Sequence, residues 1–154
     1  MSKLIDYRYD ECGLDNVILK NLPVCIDDDG DEVVTIPNVN ILHQSLLVQV
    51  AGKESGLLPK EIRFLRTEMG LTQAQLGQLV GRDGQSVGRW ERGEAPIEQA
   101  HEMIVRQAAL EHAKQAITSM MELASRTTPA AIERPYLIDA SDPANYPVLE
   151  AEAA

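Results

Sequence analysis

The chain has 154 residues, of which 44% are hydrophobic and 25% charged, and its formal net charge at pH 7 is −10. This composition is normal for a globular chain with room for one or two small domains. No apolar run approaches membrane-spanning length and the start lacks the apolar core of a secretion signal, so we expect a cytoplasmic protein without a membrane partner. Two cysteines are too few for a disulfide framework.

Residues 1–56 are predicted to form a small α+β domain. Short β-type runs occur at residues 16–19, 24–26 and 33–36, and an Asp-Gly pair between the last two predicts a hairpin turn. Apolar residues then recur at helical spacing over residues 42–50, which predicts a helix that covers this sheet. The acidic turn lacks the glutamate spacing of a calcium loop, so we interpret it as a solvated turn.

Residues 71–93 predict two short helices joined by a glycine turn. Thr72 and Gln75 have the spacing of a capping box at the start of the first helix. Gly81 is placed to end that helix, and Asp83 is a suitable N-cap for the second. The first helix is expected to bury an apolar face formed by Leu76, Leu79 and Val80.

The second of these helices is expected to turn one face inward and one outward. Val87 and Trp90 are three positions apart, so both should pack into the core. The side chains expected to point away from the core are Gln85, Ser86 and Arg89. Gly84 and Gly88 lie on the outward stripe, where they either permit a close backbone approach to a ligand or are tolerated surface residues.

Residues 58–93, which close with Arg-Trp-Glu-Arg-Gly, resemble the helix-turn-helix domains of the Xre/Cro repressor class. The resemblance implies that Gln73 holds a phosphate of double-stranded DNA. It also implies that Gln85, Ser86 and Arg89 reach base edges in the major groove. Glutamine can bind adenine and arginine can bind guanine, each with about 1–3 kcal/mol of discrimination.

Two further expectations concern charge. The resemblance implies a buried, structural ion pair between Arg66 and Glu91. The net charge is −6 over residues 1–56, +2 over residues 57–93 and −6 over residues 94–154, so only the middle part suits DNA. The acidic flanks would lower non-specific affinity and would suit a basic protein partner. The basic residues expected at phosphates or bases are Lys60, Arg63, Arg82, Arg89 and Arg92.

The order of these parts, a small β segment followed by a helix and then this motif, is similar to that of the two-part antitoxins of the MqsA-like class. The resemblance implies an N-terminal domain that binds a ribonuclease toxin and a C-terminal domain that binds the operator. Those antitoxins hold zinc with two Cys-x-x-Cys pairs, whereas Cys12 and Cys25 are single here. These cysteines, His43 and His101 could supply four zinc ligands, but free cysteines are more often small core residues. We therefore expect no metal and no cofactor.

A helix-compatible run extends from residue 97 to about residue 125 and completes a predicted DNA-binding domain of residues 57–125. Its apolar seam is longer than one small domain needs, which favours a homodimer, although the helix could fold back on the N-terminal domain. A dimer would bind a pseudo-palindrome with half-sites about 10 base pairs, or a multiple, apart. The expected dimer residues are Ile97, Ile104, Ala108, Ile117 and Met121.

Residues 126–154 contain four prolines and are predicted to be a tail that docks on the body or folds on a partner. The predicted fold is therefore mainly α, with a small sheet and helix followed by a four-to-five-helix Xre/Cro domain that ends in a long helix. No nucleophile spacing or phosphate loop occurs, so we expect no enzymatic activity.

The predicted function is a dimeric, sequence-specific transcriptional repressor, the antitoxin of a type II toxin–antitoxin pair that autoregulates its operon. One alternative is a stand-alone Xre-type regulator whose N-terminal domain senses a ligand or oligomerises. Another is a protein–protein adaptor that has kept the fold and lost DNA binding, which predicts no salt-sensitive DNA affinity.

Overall fold

The computed structural model describes residues 3–113, 133 and 135–149. Over these residues the chain is a small α+β protein with five helices and one mixed sheet of five strands. It divides into two compact units. The first holds the described residues up to Leu46 together with those after Glu133, and the second spans Leu47–Glu133. The described residues 135–149 therefore belong to the same unit as residues 3–46.

The sheet of the first unit is built around the long strand β2 (Val17–Ile26). On one edge β2 pairs antiparallel with β1 (Lys3–Arg8). On the other edge it pairs parallel with β4 (Tyr136–Asp139) and, further along, antiparallel with β3 (Glu32–Val34). The short strand β5 (Val148–Leu149) extends the sheet by pairing antiparallel with β4.

The sequence predicts part of this sheet. The runs at residues 16–19 and 24–26 belong to a single strand, which passes through Asn21 in the left-handed conformation (φ 58°). The predicted hairpin between β2 and β3 is confirmed, with Gly30 at φ 85°. The Asp27 carboxylate accepts hydrogen bonds from the N–H groups of Asp29 (3.0 Å) and Asp31 (2.8 Å), so it organises the turn. Strands β1, β4 and β5 were not predicted.

The predicted N-terminal helix is confirmed as α1 (Val39–Ala51). Its Leu42 and Leu46 side chains are fully buried, as are Val17 and Leu19 of β2 on the core face of the sheet. The Tyr9 hydroxyl lies 2.6 Å from Nε2 of His43, which links the end of β1 to α1. The first unit therefore has a core of its own between sheet and helix.

The second unit consists of helices. After the end of α1 come α2 (Pro59–Glu68), α3 (Gln73–Val80), α4 (Gly84–Glu91) and α5 (Gln99–His112). Their buried apolar residues include Ile62, Phe64, Leu65, Leu76, Val87, Trp90, Val105 and Ala109. The predicted continuation of the last helix to about residue 125 lies outside the described residues. No helix in the described ranges combines the length and apolarity needed to cross a bilayer.

A buried charged cluster fixes the loop between α1 and α2. The guanidinium of Arg106, which is fully buried on α5, donates to the carbonyl oxygens of Lys53 (2.6 Å) and Ser55, and to Glu102 (3.4 Å). Glu102 accepts a hydrogen bond from the Leu57 N–H at 2.8 Å. Desolvation raises the pKa of Glu102 despite these partners. The loop is thus held by side chains of α5 rather than by packing alone.

Candidate functional site

Local hydrogen bonds set the ends of α3 and α4 as the sequence predicts. Thr72 Oγ1 accepts from the Gln75 N–H at 3.1 Å, and Gln75 Oε1 accepts from the Thr72 N–H at 2.8 Å. Gly81 ends α3 in the left-handed conformation (φ 79°). The Asp83 carboxylate accepts from the Ser86 N–H at 2.8 Å and caps α4. Hydrogen bonds from Ser86 keep the pKa of Asp83 below its ordinary value.

Two glycines allow α3 and α4 to approach closely. A Cβ atom at Gly77 would lie 2.7 Å from the backbone carbonyl carbon and oxygen of Asp83. A Cβ atom at Gly84 would lie 3.0 Å from the backbone nitrogen of Ala74. The missing side chain of Gly84 therefore serves the contact between the two helices, a role that neither expectation for this glycine included. Gly77 was not recognised in the sequence.

The buried faces of the two helices differ from the expected ones at two positions. Val87 and Trp90 are buried as predicted, but Leu79 is 48% exposed and Ser86 only 6% exposed. Ser86 is one turn before Trp90 and so shares its inward face. The close contact at Gly77 rotates the buried face of α3 toward that glycine, which leaves Leu79 at the surface. The predictions for Leu79 and Ser86 were therefore wrong.

Gln85 and Arg89 are exposed one turn apart on α4. They border an open groove with a volume of about 770 Å³ between α3 and α4. The groove brings together five predicted DNA-binding residues, namely Gln73, Gly84, Gln85, Arg89 and Arg92. Arg82 and Ser86 do not line it, and the Arg82 guanidinium instead lies 3.4 Å from Ser86 Oγ. The groove thus has two side-chain amides and two guanidinium groups in its lining.

The ion pair implied by the resemblance is present and holds a predicted DNA contact in place. Arg66 donates from Nε and Nη2 to the two carboxylate oxygens of Glu91 at 2.6 and 2.9 Å. Gln73 Nε2 donates to the same carboxylate at 3.2 Å. The amide of Gln73 is therefore oriented by a buried acid, and its Oε1 atom faces the groove beside Gly88.

Other predicted basic contacts have partners within the chain. Lys60 Nζ lies 2.5 Å from Glu133, whereas Arg63 is exposed on α2. Arg92 donates to Glu94 from two nitrogens, a pair that was not recognised in the sequence. The sequence signal for that pair was available, since the two residues are separated by Gly93 alone.

Two of the predicted dimer residues, Ile104 and Ala108, lie beside the most buried face of α5 and not at its centre. Ile104 and Ala108 are half-buried on α5, and Ile97 is half-buried just before the helix begins. Ile117 and Met121 fall outside the described residues. The helix also supplies a ring contact that the sequence did not suggest: His101 stacks on Trp90, with ring centroids 5.5 Å apart.

In the described part of the chain, no three His, Cys, Asp or Glu side chains are grouped so that they could hold a metal ion. Cys25 is exposed and Cys12 half-buried. His43 hydrogen-bonds Tyr9, and His101 packs on Trp90 as described above.

A scan of protein-family models, a search of curated proteins and a search of solved structures found no match to this chain. Function is therefore inferred from the geometry of the groove and from the residues that carry the resemblance.

Proposed function

We propose that the chain is a sequence-specific regulator of transcription that binds double-stranded DNA, with α3 and α4 as a helix-turn-helix. The observation that carries this proposal is the exposure of Gln85 and Arg89 one turn apart on a short helix. The opposite face of that helix is anchored by the buried Val87 and Trp90. Two polar groups of fixed spacing on a rigid support are what base recognition requires.

The dimensions and chemistry of α4 suit the major groove. An α-helix has a diameter of about 10–12 Å with its side chains, which fits the major-groove width of about 12 Å. Arg89 can donate to both acceptors of guanine, and Gln85 can bind adenine at two positions, each with about 1–3 kcal/mol of discrimination. Gln73 and Arg92 line the same groove and would contact phosphates that flank these bases.

The charge distribution supports the same surface. Residues 57–93 carry a net charge of +2, whereas the parts before and after them carry −6 each. Because phosphate contacts need local positive potential, DNA would be drawn to α3 and α4 and repelled elsewhere. The overall charge of −10 is therefore compatible with DNA binding.

Replacement of Arg89 by alanine tests the proposal. We expect the variant to lose preference at one base step, with little change in Tm because the side chain is exposed. Arg63→Ala is the matched control, since it removes an exposed arginine of α2 that does not line the groove. This control should keep the base preference. If Arg89→Ala lowers the binding affinity equally for every DNA sequence, Arg89 contacts only phosphate.

Within this proposal, the chain is a homodimeric repressor and the antitoxin of a type II toxin–antitoxin pair that autoregulates its operon. The support is the resemblance to two-part antitoxins and the net charge of −6 over residues 1–56, which suits a basic toxin. The single cysteines, Cys12 and Cys25, depart from the zinc pairs of those antitoxins and favour the alternative of a stand-alone regulator.

Co-purification distinguishes the antitoxin from the stand-alone regulator. The full-length chain is co-expressed with its neighbouring reading frame and purified through a tag on the chain. A small basic protein that co-purifies in stoichiometric amount supports the antitoxin. Operator binding without such a partner supports the stand-alone regulator.

A further inference from the structure

Arg92, a proposed phosphate contact, is already bound to a carboxylate of its own chain. Its Nε donates to Glu94 Oε1 at 2.9 Å and its Nη2 donates to Oε2 at 3.2 Å. This two-pronged geometry is the one with which arginine binds a phosphate. The hydrogen bonds raise the pKa of Arg92 and lower that of Glu94, so both groups are charged at neutral pH.

The guanidinium of Arg92 lies inside the groove because Gly88 leaves room for it. A Cβ atom at Gly88 would lie 2.9 Å from Arg92 Nη1 and 3.4 Å from Gln73 Oε1. Arg92 therefore lies over α4, beside a second proposed phosphate contact. The Arg92 and Glu94 side chains are 57% and 55% exposed, so a phosphate can reach the pair from solvent.

We propose that Glu94 is an internal counter-anion, which occupies on Arg92 the position of a DNA phosphate and must be displaced before Arg92 can bind DNA. This inference rests on the proposed function and adds a regulatory element to the same site. The Glu94 carboxylate also interacts electrostatically with Arg89, so it weakens the positive potential at both arginines of the groove. Since displacement is required on any duplex, Glu94 lowers affinity for all sequences and leaves base preference unchanged.

Replacement of Glu94 by glutamine tests the inference, because it keeps the size of the side chain and removes the charge. Binding of the full chain to a fluorescent duplex of arbitrary sequence is measured by anisotropy between 50 and 200 mM salt. The released Arg92 should steepen the dependence of log affinity on log salt by up to about 0.9. The gain in affinity should then be about threefold larger at 50 mM than at 200 mM salt.

Two further variants separate a local effect from the loss of one negative charge. Glu111→Gln removes the same charge from an exposed position of α5 and should change affinity less. In an Arg92→Gln background the gain from Glu94→Gln should disappear, because the two residues act as one pair. Tm values of all variants should match the wild type, since both side chains are exposed.

The outcomes separate this inference from the proposed function. Salt-sensitive binding by the wild type with no gain in Glu94→Gln overturns the counter-anion alone. A gain that persists in the Arg92→Gln background also overturns it, since Glu94 would then act through net charge. Salt-insensitive binding or no binding by both proteins overturns the proposed function and this inference together.

Discussion

Arg66 on α2 and Glu91 at the end of α4 are joined by two hydrogen bonds, of 2.6 and 2.9 Å. Arg66 Nη1 also donates to the Leu71 carbonyl at 3.0 Å. One guanidinium therefore ties together α2, Leu71 in the loop before α3 and the last turn of α4. The orientation of α4, and with it the direction of Gln85 and Arg89, depends on this contact.

Replacement of Glu91 by glutamine should destabilise the protein by about 3–5 kcal/mol, because it leaves a largely buried guanidinium without its charge partner. Urea unfolding followed by circular dichroism measures the change. Glu111→Gln is the control for loss of an exposed carboxylate and should alter stability little. An unfolding free energy for Glu91→Gln within about 0.5 kcal/mol of the wild type would show that the pair is not structural.

Replacement of Gly77 by alanine should lower stability although alanine is the better helix former. The added Cβ would lie 2.7 Å from the backbone of Asp83, which cannot move without separating α3 from α4. We expect a cost of about 1–3 kcal/mol, typical of overpacking. Gln78→Ala, at an exposed neighbouring position of α3, should be neutral or slightly stabilising. A Gly77→Ala protein with an unchanged Tm would contradict the close helix contact.

The sequence predicts the ends of α3 and α4 because their signals are local. Thr72 with Gln75, Gly81 and Asp83 each act on backbone groups within a few residues, so spacing alone identifies them. The buried face of α3 depends instead on the contact of Gly77 with the backbone of Asp83. The spacing of apolar residues does not reveal this contact. The wrong expectation for Leu79 follows from that omission, whereas Ser86 is buried because it lies one turn before Trp90 on α4.

In the sheet, too, the sequence predicts the local pairing and not the pairing of distant residues. The β2–β3 hairpin is visible because its Asp-Gly turn lies between the strands. The parallel pairing of β2 with β4 joins residues more than a hundred positions apart, such as Leu19 and Ile138. Nothing in the local pattern of residues 136–139 indicates that partner. The groove residues Gln73, Gln85 and Arg89 were identified because their motif is compact, whereas the pairing of Glu94 with Arg92 was missed although Gly93 alone separates them.

The cap at Asp83 should make stability depend on pH in the acid range. Hydrogen bonds from Ser86 lower the pKa of Asp83 below 3.8, so the folded state favours the carboxylate. The stabilisation is present above that ordinary value and is lost as pH falls through the lower folded pKa. We expect the wild type to have a higher Tm than Asp83→Ala at pH 7. The two Tm values should converge as the pH is lowered to 2.5. A constant difference across the range would contradict the prediction.

Replacement of Arg106 by methionine should destabilise the helical unit. The substitution removes the hydrogen bonds from Arg106 to the carbonyls of Lys53 and Ser55 and its ion pair with Glu102. We expect a cost of about 3–5 kcal/mol in urea unfolding, since one member of a buried pair is removed. Adding Glu102→Gln to this variant should recover part of the loss. Additive losses in the double variant would show that the two side chains do not interact.

Base-edge contacts by Gln85 and Arg89 can be measured by selection of binding sites from a random duplex library with the full-length chain. At low ionic strength we expect enrichment of a pseudo-palindrome with half-sites about 10 base pairs apart, or a multiple of that. Footprinting should then show protection of both half-sites, and Arg89→Ala should lose preference at one position in each. A library with no enriched sequence and a footprint with no protected bases would show that Gln85 and Arg89 do not recognise base edges.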